Sequence, residues 1–197
     1  MPFGNKKSQG SGNNRCGGYA LYAVLSDLSG DQNMNPIEIY NRIQECQAGV
    51  PKELGDLIGR MSGNSGTNIS LPSSLVLCAQ SFRLAATIHY KSDWEIMNCG
   101  PEMMSSFINL ENTRSGHHTR QVESNEKLFG VFNSGIPYFL VLVNNDTHWI
   151  AVKREPDSQH FTIYNPGDGS ATPVDPNEIQ SYLTTHYGAI NLIITLQ

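Results

Sequence analysis

The chain has 197 residues, of which 39% are hydrophobic and 16% are charged, and its formal net charge is −5. This length suits one domain with a sizeable core, so we expect residues 1–197 to form a single domain. The acidic charge balance disfavours nucleic acid as a partner, because nucleic-acid-binding domains carry basic patches. No apolar run has membrane-spanning length, and residues 1–14 lack the apolar core of a signal peptide.

The four cysteines are widely separated and form no CxxC pair. Such spacing indicates free thiols in a reducing compartment rather than a disulfide framework. We therefore expect a cytoplasmic protein, or one that is exported without a cleaved signal peptide, for example into a host or target cell. Cys46, Cys78 and Cys99 lie on or beside apolar stretches and are expected in the core.

Helical spacing of apolar residues dominates the first half of the chain. Residues 1–15 carry several glycine, asparagine, glutamine and serine residues and predict a lead that is flexible over 1–12. Asn35 followed by Pro36 is typical of a helix start, with a capping side chain and proline at the first helical position. The predicted elements are helices over 16–28 and 36–47, a short helical piece over 51–60, a helix over 74–82, a strand over 84–90, a short helix over 101–108 and mostly loop over 111–126.

Extended patterns dominate the second half. The continuous apolar run 136–143 is typical of a buried strand, and residues 144–146 have the composition of a turn. Because helices and strands are segregated along the chain, the sequence predicts an α+β fold, with a helix-rich N-terminal half packed on a C-terminal antiparallel sheet. The further predicted elements are strands over 147–152, 160–164 and 190–196, and a helix starting near Asp175.

Cys16 is the candidate nucleophile. A polar, glycine-containing loop leads into it, and it begins a predicted helix that is largely apolar. A thiol at a helix N-terminus faces free backbone N–H groups and the positive end of the helix dipole, which favour the thiolate. Small buried cysteines are common, but a cysteine that only fills the core has no need of this polar approach.

A cysteine nucleophile needs a base, a group that orients the base, and donors for the oxyanion. His148 is suitably placed as the base, at the start of a predicted strand after a polar turn. In an antiparallel pair the start of one strand lies beside the end of the next, which puts Asn165 near His148. The side-chain oxygen of Asn165 could fix the imidazole tautomer, with Asp168 as the alternative orienting residue. Considered alone, His148 is also compatible with a purely structural role at a strand edge.

Three short segments, Cys16–Leu21, Thr147–Val152 and Ile163–Pro166, together resemble the papain-like cysteine peptidase superfamily. The compact bacterial branch is the most similar. It includes the double-glycine leader peptidases and the cysteine protease and glutamine deamidase effectors injected into host cells. Residues 72–90 are also similar to a segment of leader-peptidase-like domains, so the resemblance covers most of residues 13–170.

The resemblance implies a role for each member of a triad. Cys16 would be the nucleophile, His148 the general base and Asn165 the residue that orients the base. The separation of Cys16 and His148 falls within the range of about 130–150 residues found in papain-like enzymes. Many relatives have aspartate at the third position, which stabilises an imidazolium more strongly than asparagine does.

The oxyanion hole departs from the pattern of the superfamily. Papain-like enzymes place a glutamine six residues before the cysteine, where this chain has Gly10. Gln9 is one residue away and is the first candidate for this role. The side chains of Asn13 and Asn14 are the alternatives, acting together with the backbone N–H of the nucleophile.

The implied function is that of a papain-like thiol protease, a hydrolase that cleaves amide bonds of a protein or peptide through a thioester. Glutamine deamidation and acyl transfer to an amine use the same thioester, so these reactions are open alternatives. A compact domain of this kind suggests a bacterial virulence effector with one protein target. A non-catalytic binding module on the same fold is the alternative from a different functional class.

Two motifs resemble metal sites only superficially. The adjacent His117 and His118 would point apart in a helix or strand, and no further ligand stands at a suitable spacing. The turn at 165–169 lacks the alternating acidic residues of a calcium loop. We therefore expect neither a metal ion nor a cofactor, and neither a membrane nor a nucleic acid as partner.

Overall fold

The computed structural model describes residues 3, 7–10, 14–31, 33–50, 70–95, 100–156 and 160–197. The elements in these ranges are α1 (Cys16–Ser29), α2 (Pro36–Gln47), α3 (Pro72–Ser81), β1 (Ala86–Lys91), α4 (Pro101–Arg114), β2 (Thr119–Val122), α5 (Asn125–Phe129), a 3₁₀ turn (Gly130–Asn133), β3 (Tyr138–Val143), β4 (His148–Arg154), β5 (Phe161–Asn165), β6 (Ser170–Val174), α6 (Ile179–Tyr187) and β7 (Leu192–Leu196).

The strands of the described residues form one seven-stranded sheet in the order β2-β1-β7-β3-β4-β5-β6. The β1–β2 pair is parallel and the other neighbouring pairs are antiparallel. The α+β class predicted from the sequence is therefore confirmed. The sheet is mixed rather than purely antiparallel, because β2 from the middle of the chain adds a parallel edge.

Two hydrophobic layers cover the two faces of the sheet. On one face α1, α2 and α3 pack against the strands, and on the other face α5, the 3₁₀ turn and α6 do so. We call these the α1 face and the α6 face. Helix α1 is buried from Cys16 to Ser26, so it is the central helix of its layer.

Local sequence signals account for the first two helices. Gly30 ends α1 in the left-handed region, with φ 67°, a conformation that glycine adopts without steric cost. The side chain of Asn35 caps α2 by accepting the backbone N–H of Ile37 at 3.0 Å. Both helix boundaries agree with the prediction, whereas the helical piece predicted over 51–60 lies outside the described residues.

The prediction of mostly loop over 111–126 is wrong. Helix α4 continues to Arg114, and β2 and the start of α5 follow within this segment. Glu111 looks like a surface residue in the sequence, but it is 4% exposed, and its carboxylate accepts the backbone N–H and the hydroxyl of Ser73 in the first turn of α3. Burial raises the pKa of Glu111 to about 7, against its bonds with Ser73.

Two further differences concern the C-terminal part of the chain. Strand β6 is an edge strand that the sequence analysis missed. Only Val174 of its five residues is buried, so the strand has no apolar pattern in the sequence. Helix α6 begins at Ile179 rather than near Asp175, because the Asp175 carboxylate accepts the backbone N–H of Asn177 and forms a turn instead of a helical cap.

Cys16, Cys46 and Cys78 are free thiols. Cys78 is buried and Cys46 half-buried, in line with the expected core positions, whereas Cys99 lies outside the described residues. None of the helices in the described part of the chain combines the length and apolar character needed to span a bilayer.

Candidate active site

The fold brings the N-terminus of α1 to the sheet edge where β4 begins. Cys16 is the first residue of α1, and its side chain is 5% exposed. The backbone N–H groups of Trp149 in β4, of Gly17 and of Cys16 itself are near enough to the Cys16 sulfur to lower the pKa of the thiol. The sulfur therefore lies against the residue that directly follows His148.

Close packing at Gly17 makes this position of the sulfur feasible. A Cβ atom added at Gly17 would lie 2.4 Å from the Cβ and the Oγ of Ser70 and 3.3 Å from the Trp149 ring. The Trp149 indole N–H donates to the Ser70 backbone carbonyl at 2.9 Å, so the ring fills the space between α1 and residue 70. Any larger residue at position 17 would push the start of α1 away from β4.

His148 and Asn165 meet as predicted from the antiparallel pairing of β4 and β5. His148 Nε2 lies 2.8 Å from Asn165 Oδ1. The same Oδ1 accepts the backbone N–H of Gly167 at 2.9 Å. Because only the amide oxygen can accept that N–H, the Asn165 amide has a fixed orientation and His148 Nε2 must be the donor. In the neutral imidazole the lone pair is then on Nδ1, the nitrogen free to take a proton.

A rare turn sets the start of β4. Asn144, Asn145 and Asp146 have φ values of 55°, 53° and 64°, so three consecutive residues other than glycine adopt the left-handed conformation. The buried Asp146 carboxylate accepts the Trp94 indole N–H at 2.8 Å. It also contacts the side-chain amide of Asn191 at 3.4 Å. The sequence indicated a turn here, but it gave no signal for these long-range contacts.

Asp168, the alternative orienting residue, does not contact the imidazole through a hydrogen bond. Its Oδ1 accepts the backbone N–H of Ser170 at 2.8 Å, and this bond is the main reason why the pKa of Asp168 is lowered. The exposed carboxylate is still near enough to His148 to raise the pKa of that imidazole electrostatically. Of the two candidates, Asn165 is the one in direct contact.

Residues 7–10 form a strap along the turn that follows β5. The Tyr164 hydroxyl donates to the Lys7 carbonyl, the Gln9 N–H donates to the Pro166 carbonyl at 2.9 Å, and the Ser8 hydroxyl donates to the Gly167 carbonyl at 3.1 Å. Residues 7–10, which belong to the lead predicted to be flexible over 1–12, are thus bonded to this turn. The buried Phe3, which packs against Tyr164, is also anchored.

The strap places the first oxyanion-hole candidate close to the turn. Half-buried Gln9 is bound through its backbone to Pro166, the neighbour of Asn165. Gly10, the last residue of the strap, adopts the left-handed conformation with φ 76°. Asn14 is half-buried two residues before Cys16, and Asn13 lies outside the described residues.

The surroundings of the two groups favour their neutral forms. Burial raises the pKa of the Cys16 thiol above its usual 9.0, and the three backbone N–H donors only partly offset it. Burial likewise lowers the pKa of His148 below 6.5, against the opposing effects of Asn165 and Asp168. The expectation that the helix N-terminus would favour the thiolate is thus not supported for the resting protein, because burial outweighs the nearby backbone N–H groups.

The adjacent His117 and His118 directly precede β2, at the edge of the sheet away from this site. His117 Nδ1 is 3.1 Å from the Asn112 side-chain nitrogen, and both His117 and His118 are exposed. In the ranges that the structure covers, no three His, Cys, Asp or Glu side chains are grouped as metal ligands.

No protein-family model matches this sequence, and no curated protein matches it. The interpretation of the site therefore depends on its geometry and on the chemistry of its side chains.

Proposed function

We propose that this protein is a papain-like thiol hydrolase that cleaves amide bonds in a protein or peptide, with Cys16, His148 and Asn165 as its triad. The observation that carries the proposal is the fixed His148–Asn165 bond at the start of β4, whose next residue, Trp149, lies near the Cys16 sulfur. Cys16 is the first residue of α1, His148 is the first residue of β4, and Asn165 is the last residue of β5. A purely structural histidine would not require a partner whose own orientation is fixed by a second bond.

The geometry supports a mechanism that starts from the neutral pair. His148 Nδ1 takes the thiol proton as the Cys16 sulfur attacks the amide carbon, and the imidazolium then gives that proton to the leaving amine. Water, deprotonated by the same imidazole, hydrolyses the thioester and restores the thiol. Asn165 keeps Nε2 protonated throughout, so that the proton always moves at Nδ1.

The oxyanion of the tetrahedral intermediate needs at least two donors. The backbone N–H of Cys16 is one candidate, since it already points at the reacting sulfur. The side-chain amide of Gln9 is the other, because the strap holds this residue beside the turn that carries Asn165. In this proposal the strap replaces the glutamine that papain-like enzymes place six residues before the cysteine.

The proposal covers peptide cleavage first and glutamine deamidation second, since both proceed through one thioester. Acyl transfer to an amine is a third reaction of the same intermediate. By analogy with the bacterial effectors, we propose a protein target for a delivered or cytoplasmic enzyme.

The test is mass spectrometry of a proteome extract incubated with the protein. New peptide termini indicate cleavage, and a mass increase of about 1 Da at glutamine indicates deamidation. Cys16→Ala must abolish either signal, and Cys78→Ala, which removes a buried thiol outside the site, must retain it. If iodoacetamide fails to label Cys16 at any pH between 6 and 10 and no product forms, the proposal is wrong.

A non-catalytic binding module is the second candidate, and one observation favours it. Cys16 is only 5% exposed and its pKa is raised, as for a thiol that fills space in a core. This alternative predicts that Cys16→Ala leaves every interaction of the protein intact. It also predicts that His148→Ala does not alter the reactivity of the thiol.

A further inference from the structure

A polar cavity lies on the α6 face, at the sheet end opposite the start of β4. Its volume is about 160 Å³, roughly five times the share of one water molecule in the liquid. Strands β1, β2 and β7 and the segment after the 3₁₀ turn enclose it. Its polar lining residues are Thr87, His89, Arg120, Ser134, Thr195 and Gln197.

The strand register explains why these side chains converge. His89 in β1 is the direct parallel partner of Arg120 in β2, and Thr87 is the antiparallel partner of Thr195 in β7. Paired residues of neighbouring strands project to the same face of a sheet. The cationic side chain of Arg120, the imidazole of His89 and two hydroxyls therefore stand together on the α6 face.

Among the described residues, the positive charge of Arg120 at this cavity is not balanced by a nearby carboxylate. Neither aspartate nor glutamate lines it, although acidic residues outnumber basic ones in the chain as a whole. In the described part of the chain, Arg120 makes no ion pair with a carboxylate. Burial, reinforced by Arg120, lowers the pKa of His89 to about 4, so the imidazole is neutral at physiological pH. A negatively charged ligand would balance the charge of Arg120.

The hydroxyl of Thr195 controls the tautomer of His89. It donates to the Thr87 carbonyl at 3.3 Å, and its Oγ1 lies 3.2 Å from His89 Nε2, so the ring proton is then on Nε2. For His89 to donate into the cavity, this hydroxyl must turn from the carbonyl to Nε2, which moves the proton of the neutral ring to Nδ1. The guanidinium of Arg120 adds donors in a planar fork that suits two oxygens of one anion.

We propose that this cavity binds a small oxyanion of the phosphate type through Arg120 and His89. The anion is either free phosphate or the phosphoryl group of a small monoester. The site is separate from the proposed active site, because it lies on the other face and at the other end of the sheet. It does not depend on the proposed hydrolase function.

Thermal unfolding at pH 7 and constant ionic strength tests this proposal, with sodium chloride replaced stepwise by sodium phosphate. A bound anion raises Tm with a saturable dependence, and at ten times its Kd it lowers the unfolding equilibrium constant about elevenfold. Parallel titrations with phenyl phosphate and with acetate separate a free phosphate, a phosphate ester and a carboxylate. We expect a response to phosphate or phenyl phosphate that exceeds the response to acetate.

Arg120→Gln removes the principal charge at an exposed position of an edge strand and is expected to abolish the saturable response. Arg42→Gln removes the same charge from α2 on the other face and must retain it. The nitrogen-15 shifts of the His89 ring in the unaltered protein provide a second measurement, since a bound anion changes them. Equal Tm shifts in all three proteins, or His89 shifts that do not respond to phosphate, would overturn the proposal.

Discussion

The buried His89 and the half-buried His148 lie at opposite ends of the sheet and illustrate how neighbours assign a role to a histidine. Each ring has Nε2 within hydrogen-bond distance of a side-chain oxygen, Asn165 for His148 and Thr195 for His89. Burial lowers the pKa of both rings. The other neighbours differ: Asp168 opposes this shift at His148, whereas Arg120 reinforces it at His89.

The comparison separates a ring that can exchange protons from one that resists protonation. His148 has an acceptor that fixes its tautomer and a nearby carboxylate that stabilises its positive form. His89 has a flexible hydroxyl partner and a cation beside it. A base needs the first environment, and an anion site needs the second. The following experiments examine this contrast.

The largest expected effect is the loss of hydrolysis on replacement of the proposed base. We expect His148→Ala to lower kcat/KM by a factor of about 10²–10⁴, the usual contribution of general acid–base catalysis. The matched variant His89→Ala should stay within a few-fold of the unaltered protein. The measurement is product formation on a substrate identified by mass spectrometry, and similar losses in both variants would remove the contrast.

Replacement of the orienting residue should have a smaller effect. Asn165→Ala frees the ring to rotate, and we expect a loss of kcat of about 10–100-fold, comparable to the loss of other groups that orient a reacting side chain. Asn165→Asp keeps an acceptor and adds a charge that raises the pKa of His148. Since the neutral ring is the base, the acid limb of the pH–rate profile should move to higher pH in this variant. An unchanged profile would contradict the assigned contact.

The His89 environment has a consequence for stability. The ring has a pKa of about 4 in the folded protein and about 6.5 in the unfolded chain, so below pH 6.5 protons bind preferentially to the unfolded chain. Its contribution to stability is lost as the pH falls from 6.5 towards 4, by at most about 2 kcal/mol between pH 7 and 5.

His89→Gln should make the free energy of unfolding less dependent on pH in this window. Urea titrations at pH 7 and pH 5 measure the change for both proteins. Replacement of the exposed His118 by glutamine is the control and should leave the dependence unaltered. If the two variants behave alike, burial and Arg120 do not disfavour protonation of His89.

The smallest effect is expected at Asp168. Asp168→Asn removes a carboxylate that raises the pKa of His148, so the acid limb of the pH–rate profile should move slightly to lower pH. Because Asp168 is exposed, salt screens its interaction, and the difference from the unaltered protein should disappear near 1 M salt. A shift that persists at high salt would indicate a direct contact between Asp168 and the ring.

The sequence was sufficient to predict the elements whose signals are local. The cap at Asn35, the stop at Gly30 and the apolar run that forms β3 specify their structures without help from distant residues. The meeting of His148 and Asn165 was also predictable, since it follows from an antiparallel pair joined by a turn. These features need only neighbours in the chain or in an adjacent strand.

The features that the sequence analysis missed depend on tertiary contacts. Glu111 is polar in sequence and buried in the fold, where Ser73 on another helix satisfies its carboxylate. The anchoring of Gln9 depends on Pro166. The lowered acidity of the Cys16 thiol arises from burial beneath β4, which helical periodicity does not reveal. In each case the decisive partner is remote in sequence.

The strap makes the order of synthesis relevant to the proposed chemistry. The residues around position 9 rest on a turn that is synthesised more than 150 residues later, because the Ser8 and Gly167 contact spans 159 positions. A ribosome-bound chain that already displays Cys16 has neither the proposed base nor an anchored Gln9, the proposed oxyanion donor, in place. Contacts of such long range form late, after slow loop closure. The proposed reaction would therefore begin only when translation of the strand segment is complete.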